Sequence, residues 1–320
     1  MARCRRALSG ALTIAASLLL IGLLPSTALA QATVAFTIKD GRILSSSGLA
    51  RDVNAGLYWT ANESGDRGVV YGLTTTGAVQ GTLNYRTQPV DVEGLAVVGD
   101  TLYVGDIGDR TESRSFVTVY RFDNPRATGL TVTYRSYDFE FSDGPKNAET
   151  LLVTDSGRIL LVTAGKDSAI YAGPPQPSRQ GVNRLRKVAD APADITDGTF
   201  LPGGKQLALR SNSAAYVLDA TSYETVASAE LRTQPEGKSL AVSLDGESLL
   251  LGSQGRNAKV YSIPVPTKAT PTPSASPSQP VDGEGEEPAG VGRRGTMLAL
   301  GLAALVAIVA GVVAGSIRDR

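Results

Sequence analysis

The stretch VVYGL at residues 69–73 recurs along the chain in four variants, each with a tyrosine between apolar residues. The variants are TVYRF (118–122), AIYAG (169–173), AAYVL (214–218) and KVYSI (259–263). Successive tyrosines are separated by 49, 51, 45 and 45 residues. A period of about 40–50 residues is typical of one four-stranded propeller blade. We therefore predict an all-β fold, a five-bladed β-propeller, in which these tyrosines pack between blades as third-strand residues.

Apolar segments on either side of each tyrosine supply the other strands of each unit. In the second unit, LAVV and LYV flank Gly99-Asp100, a typical hairpin turn. The fifth unit ends one strand short after KVYSI, and ATVAFTI at residues 32–38 is available to complete it. Pairing of these two segments would close the ring and cover a strand edge. The propeller is predicted to span residues 31–265, and six shorter blades are the alternative.

Both ends of the chain carry patterns that are typical of export and membrane anchoring. Residues 1–30 combine a basic start, an apolar core and a small-x-small ending, which predict a signal peptide; an uncleaved anchor is the alternative. Residues 296–317 are uncharged and long enough to cross a bilayer as a helix. Residues 266–295 are rich in Pro, Ser, Thr and acidic residues and predict a disordered stalk. The propeller would then lie outside the cell as part of a single-pass membrane protein, with residues 318–320 as a cytoplasmic tail.

Composition excludes several classes of protein. The chain has no histidine, and its one cysteine, Cys4, lies in the predicted signal peptide. The mature chain can therefore form no Ser-His-Asp triad, no thiol nucleophile and no histidine-ligated zinc site. Residues 31–290 carry 24 basic and 30 acidic side chains. Because no basic surface would neutralise phosphates, we expect no nucleic-acid partner.

Aligning the five units on their tyrosines brings acidic residues to one recurring position, the start of the first strand. Four of the five aligned residues are acidic, namely Glu93, Glu149, Asp197 and Glu236, and the first unit has Ser47 at this position. The first strand of a propeller blade is the innermost one. These side chains are therefore predicted to ring the mouth of the central channel.

The loops after the second strands are predicted to lie on the same rim, because a hairpin returns to the start of its first strand. In the second unit this places Asp106 and Asp109 near Glu93, with Asp91 beside them. Crowded carboxylates need a positive charge nearby. One alternative is a calcium ion held by carboxylate oxygens. The other is an internal salt-bridge network, for which the rim offers Lys166, Arg210, Arg256 and Arg114.

Three segments of the sequence carry a family resemblance: DVEGLA (91–96), DIGDR (106–110) and FSDGPKNAETLLV (141–153). They resemble segments of exported, membrane-anchored β-propellers of actinobacteria, a group distantly similar to phytase-like and esterase-like propellers. Arg110 stands where the resemblance leads us to expect asparagine, which removes one potential oxygen ligand. The resemblance implies anion contacts by Lys166 and Arg210. The metal-side residues that it implies are Glu93, Asp106, Asp109 and Glu149.

Three functions are compatible with these features. The leading hypothesis is a membrane-tethered propeller that binds an extracellular protein, polysaccharide or phosphoester at its acidic face, with Ca²⁺ as a candidate cofactor. The alternative is a calcium-dependent hydrolase of phosphoesters or carboxylic esters, with Glu149 as general base and Lys166 or Arg210 stabilising negative charge. The third is a subunit of a membrane complex, recruited through small residues of the predicted membrane helix. The sequence leaves open whether the chain is an enzyme.

Overall fold

The computed structural model describes residues 32–65, 67–232 and 237–267. Within these ranges the chain consists of β-strands joined by turns and loops, without a helix. The prediction of an all-β fold is confirmed, and the strand arrangement is consistent with a β-propeller. No segment of these ranges forms a helix that could span a membrane. The predicted signal peptide, the membrane helix and nearly all of the predicted stalk lie outside the described residues.

Twenty of the 21 strands in the described ranges form five groups of four, each antiparallel within itself. The fourth strands of the second and third groups also pair with each other in parallel, which joins these two groups in one eight-stranded sheet. The first strand in chain order, β1, spans Thr33–Ile38. The first group contains β2 (Ser46–Asp52), β3 (Leu57–Asn62), β4 (Val69–Leu73) and β5 (Val79–Tyr85). The second group contains β6 (Val92–Val98), β7 (Thr101–Asp106), β8 (Val117–Asp123) and β10 (Arg135–Phe141). The short strand β9 (Thr131–Val132) precedes β10 and pairs in parallel with β5.

The remaining groups repeat this pattern. The third group contains β11 (Ala148–Val153), β12 (Ile159–Thr163), β13 (Ala169–Ala172) and β14 (Asn183–Asp190). The fourth group contains β15 (Asp197–Phe200), β16 (Gln206–Arg210), β17 (Ala214–Asp219) and β18 (Thr225–Glu230). The fifth group contains β19 (Gly237–Val242), β20 (Ser248–Ser253), β21 (Ala258–Pro264) and, as its fourth strand, β1.

The fifth group is completed by the beginning of the chain, as the sequence predicts. Strand β1 pairs antiparallel with β21, with Thr33 opposite Ser262 and Ile38 opposite Ala258. The first strands of the groups contact one another in the order β2, β6, β11, β15, β19 and back to β2. Two neighbouring first strands come so close that a Cβ on Gly94 would lie 2.6 Å from the backbone nitrogen of Leu151. The first strands therefore form a closed inner ring.

The hydrophobic core is divided into five clusters, each between two consecutive groups. Between the first two groups, the Tyr85 ring packs against Phe122 and Tyr120 at centroid distances of 4.9 and 5.4 Å. Between the fifth and first groups, Ile38 of β1 packs in one cluster with Tyr71. All five repeat tyrosines lie on third strands and are buried or half-buried, as predicted. Burial of these faces against each other holds the groups in a ring.

We expect Ile38→Ala to lower the free energy of unfolding by about 2–4 kcal/mol, because Ile38 is 2% exposed in the cluster that joins the fifth group to the first. Val34→Ala on the same strand is the matched control, since Val34 is 50% exposed. Urea unfolding followed by the fluorescence of Trp59, the one tryptophan of the chain, measures both variants. Equal losses in the two variants would contradict the docking of β1 through this face.

Candidate functional site

Glu93, Glu149 and Lys238 occupy equivalent places at the start of three first strands. In β6, β11 and β19 the pairing register shifts across this one residue. The shifts lie between Val92 and Gly94, between Ala148 and Thr150, and between Gly237 and Ser239. A bulged residue is left out of the hydrogen-bond ladder, which changes the direction of its side chain. The three bulges therefore bring these side chains together.

An ion-pair network joins the three bulged residues. The Lys238 Nζ lies 2.7 Å from Glu93 Oε2 and 2.5 Å from Glu149 Oε2. Ser47 Oγ donates a hydrogen bond of 2.7 Å to the same Glu93 oxygen. All four residues are buried, and Glu93 has no exposed surface. The fifth group is thereby connected to the second and third groups through one ammonium ion.

Electrostatics in this network follow from two carboxylates sharing one lysine. Burial and the charge of Glu149 raise the pKa of Glu93 to about 8. Burial alone would lower the pKa of Lys238, but Glu93 and Glu149 together raise it. Lys238 therefore stays charged. Its single positive charge compensates the negative charges of the two carboxylates only in part.

Two of the four acidic members of the predicted ring, Glu236 and Asp197, do not take part in this network as the structure describes it. Glu236 lies outside the described residues, and the place equivalent to Glu93 in the fifth group belongs to Lys238. Asp197 is at the start of β15, but it is fully buried and its oxygens accept hydrogen bonds from the backbone of Gly198 (2.8 Å) and Leu240 (2.6 Å). Burial raises the pKa of this carboxyl well above its usual range. Asp197 thus connects β15 to β19.

The two cationic residues that were predicted to act beside Glu149 do not contact it in the structure. Arg210 is completely buried, and its guanidinium donates to the backbone carbonyls of Ser239 (3.2 Å) and Gly252 (3.0 Å). Burial lowers the pKa of Arg210 to about 10. Lys166 is exposed in the loop that follows β12. Arg210 therefore connects β19 and β20 through buried hydrogen bonds to their backbones.

Asp106 and Asp109 stabilise their own loop. Asp106 accepts hydrogen bonds from the backbone of Val90 (3.0 Å) and Asp91 (2.9 Å). It also forms an ion pair with Arg114 at 2.9 Å. Asp109 accepts a hydrogen bond of 2.8 Å from the backbone of Arg114, whose side chain also donates to a loop carbonyl. Both Asp106 oxygens and Asp109 Oδ2 accept hydrogen bonds from these donors, and Asp109 Oδ1 lies 3.4 Å from the Thr111 hydroxyl. Among the described residues, no three of the four implied metal-side residues bring carboxylate oxygens within 4.8 Å of one another.

A different group of carboxylates converges at the same rim. Glu63 follows β3, and Asp91 and Glu93 lie at the start of β6; one oxygen from each lies within 4.8 Å of the others. Burial and the charge of Glu63 raise the pKa of Asp91 to about 6. The glycine of the DIGD segment permits this arrangement, because a Cβ on Gly108 would collide with the Asp91 carboxylate. Glu63 lies in a loop after a second strand, which the sequence predicts to be on this rim, but it was not among the candidate site residues.

Glu149 and Lys238 of the ion-pair network line a cavity of about 840 Å³. Its walls come from loops of several groups and carry charges of both signs. Arg110 in one wall is paired with Glu63 at 2.7 Å, and Gln254 donates to the same carboxylate at 2.7 Å. The polar residues lining the cavity include Glu63, Arg110, Glu149, Asp194, Asn212, Tyr216, Lys238 and Gln254. The arrangement is suited to a ligand that forms several hydrogen bonds.

Comparisons with known proteins add little to this description. No family model matches the chain, and no curated protein is significantly similar to it. Among solved structures, a gluconolactonase from Xanthomonas campestris is similar over 73% of this chain and 90% of its own, with 12% sequence identity and a TM-score of 0.46. A similarity of this degree carries no argument about fold, activity or ligand.

We expect Lys238→Met to lower the free energy of unfolding by about 3–5 kcal/mol, because Glu93 and Glu149 would stay buried without a counter-charge. The triple variant Glu93→Gln, Glu149→Gln, Lys238→Met should recover much of this loss. Lys187→Met, which removes an exposed ion pair with Asp190, should leave the unfolding midpoint unchanged. Urea unfolding measures all three, and a tolerated Lys238→Met would contradict the role of the ammonium.

We expect Asp106→Asn to lower the free energy of unfolding by about 1–3 kcal/mol, since the ion pair with Arg114 and one backbone hydrogen bond are lost from a buried position. Asp123→Asn is the control, because this carboxylate is exposed in its ion pairs with Arg121 and Arg135. Thermal and urea unfolding compare the two. A neutral Asp106→Asn would show that the carboxylate is not needed to hold its loop.

Proposed function

We propose that this chain is an extracellular, membrane-tethered β-propeller of five blades that binds a hydroxyl-rich ligand, such as a saccharide, in the cavity at its acidic rim. The observation that carries this proposal is the cavity of about 840 Å³ with its polar lining. Cavities of about 300–1,000 Å³ are typical of sites for small ligands.

The count of five blades is supported by two features of the described residues. The first strands of the five groups contact one another in a closed cycle. The five hydrophobic clusters each join neighbouring groups, including the last and the first. The alternative of six blades would require a further group of strands, and the described ranges provide none.

The lining favours a neutral, hydroxyl-rich ligand over a phosphoester. The cationic residues in the walls, Arg110 and Lys238, are already paired with carboxylates. A phosphate group would have to compete with those carboxylates and would meet the negative charge of Asp194 as well. Amide and carboxylate groups, by contrast, bind hydroxyl groups as donors and acceptors. Asn212 and Asp194 are exposed at the cavity and available for this purpose.

The hydrolase hypothesis receives less support from the geometry. Of its three proposed catalytic residues, only Glu149 lines the cavity. That carboxylate accepts hydrogen bonds from Lys238 and from Asn147 (3.0 Å), so both of its oxygens are engaged. Arg210 is bound to backbone carbonyls, and Lys166 is exposed in its loop.

The membrane tether is included in the proposal because of the sequence alone. Residues 1–30 and 296–317 carry the patterns of a signal peptide and a membrane helix, and both lie outside the described residues. Export of the amino terminus and one membrane helix would place the cavity on the outer side of the membrane. A polysaccharide of the cell surface is then a ligand within reach of the site.

The test compares binding of neutral oligosaccharides, short peptides and an inositol phosphate by isothermal titration calorimetry. We expect an oligosaccharide to bind, and Asn212→Tyr, which fills the cavity from an exposed position, to weaken its affinity at least tenfold. Gln180→Tyr is the matched control on an exposed loop outside the cavity. Binding that is insensitive to Asn212→Tyr, or binding of the inositol phosphate alone, would overturn the proposal.

A further inference from the structure

We propose that a second cavity, at the other end of the first strands, binds a small monocarboxylate with an apolar body. This second cavity has a volume of about 270 Å³. It shares no lining residue with the cavity at the acidic rim. Binding at the second cavity therefore does not depend on which ligand the first one takes.

All five groups of strands contribute to the second cavity. Its walls come from the ends of the first strands and from the turns that follow them. One lining residue from each group in order is Arg51, Val97, Val153, Phe200 and Val242. The ion-pair network, by contrast, lies at the starts of the first strands. The two cavities thus lie at opposite ends of the inner ring.

Apolar side chains form most of this lining. Val97, Val98 and Phe200 are half-buried, and Val53 is 58% exposed. Apolar surface that is still in contact with water gains free energy when a ligand covers it. Sites for small ligands combine such a lining with a few polar groups that orient the ligand. The second cavity has this composition.

Arg51 is a half-buried cation in this apolar lining, and it has no counter-charge. Its Nη2 donates a hydrogen bond of 2.8 Å to the backbone carbonyl of Leu244. Its Nε is buried and has no hydrogen-bond partner in the part of the chain that the structure describes. In the same part of the chain Arg51 forms no ion pair, whereas the half-buried Arg114 is paired with Asp106. A partly buried charge without a partner is unfavourable.

A carboxylate is the ligand group that matches this guanidinium. Arginine presents five N–H donors in a planar fork, and carboxylates bind to that fork through two parallel hydrogen bonds. Arg51 uses one donor in its bond to Leu244, and within the described ranges Nη1 makes no hydrogen bond. A bound carboxylate would supply both the missing negative charge and an acceptor. The apolar body of the ligand would then cover the valine side chains and Phe200.

The acidic residues nearby do not reverse this preference. Asp155 lines the cavity but is exposed in the turn between β11 and β12. Asp245 is also exposed, and it accepts hydrogen bonds from the Ser243 hydroxyl and the backbone of Glu247. An exposed carboxylate is solvated and gains little from a ligand cation. A half-buried guanidinium gains more from an opposite charge, because the surrounding dielectric is lower.

The test titrates the full chain with hexanoate and with 3-phenylpropanoate by isothermal titration calorimetry. Hexylamine and 3-phenylpropylamine carry the same apolar bodies with the opposite charge. We expect at least one carboxylate to bind once per chain, and its amine to bind more weakly by about tenfold or more. Arg51→Met should weaken the carboxylate by about tenfold or more, since a charge-assisted hydrogen bond is lost. Arg158→Met is the matched control, because Arg158 is half-buried, donates to a backbone carbonyl and does not line the cavity.

Val53→Trp is a second variant, which keeps the test decisive if Arg51→Met fails to fold in urea unfolding. It places a ring at the cavity from an exposed position and should also weaken the carboxylate, whereas Val182→Trp, at a 48% exposed site outside the cavity, should not. The proposal is overturned if neither carboxylate binds or if the amines bind as tightly. It is equally overturned if Arg51→Met and Val53→Trp leave the affinity unchanged. Oligosaccharide affinity should be the same in Arg51→Met as in the wild type, so the two cavities are tested separately.

Discussion

The ammonium group of Lys238, held between Glu93 and Glu149, is the interaction on which the centre of this molecule depends. The three residues come from the fifth, second and third groups of strands, and each lies at a bulge that turns it toward the others. Two buried carboxylates would repel each other across the inner ring if the lysine were absent. Lys238 and Glu149 also line the cavity, so the ion pair between them belongs both to the framework and to the candidate site.

Other buried polar groups support this centre without taking part in the site. Asp197 and Arg210 face each other across the β15–β16 pair, and both make hydrogen bonds to the backbone of the fifth group. Asp106 holds its loop through backbone donors and Arg114. Such carboxylates and guanidinium groups resemble functional residues in sequence, yet their hydrogen-bond partners assign them to the framework. The carboxylates of the acidic rim are therefore of two kinds: those held by hydrogen-bond donors of the framework, and those that are open to a ligand.

The all-β strand pattern could be predicted from the sequence, because a repeat imposes the same pattern several times and errors in one unit are corrected by the others. The site was harder to predict. Alignment on the tyrosines selected Glu236, whereas the bulge residue of the fifth group is Lys238. Alignment on the apolar residues Leu95, Leu151 and Leu240, each two positions after a bulge residue, selects the bulge residues correctly. Neither composition nor spacing distinguishes a carboxylate that accepts backbone hydrogen bonds, such as Asp109, from one that is available to a ligand.

The way in which β1 completes the fifth group has a mechanical consequence. The order of that sheet is β1, β21, β20, β19, so the chain leaves the domain through a strand that has a paired neighbour on each side. Tension applied from the carboxyl-terminal side would have to break hydrogen bonds to both β1 and β20, whereas an edge strand is held on one side only. A domain pulled through its last strand is thereby anchored inside its own sheet, and the load is shared between the first and last segments of the fold.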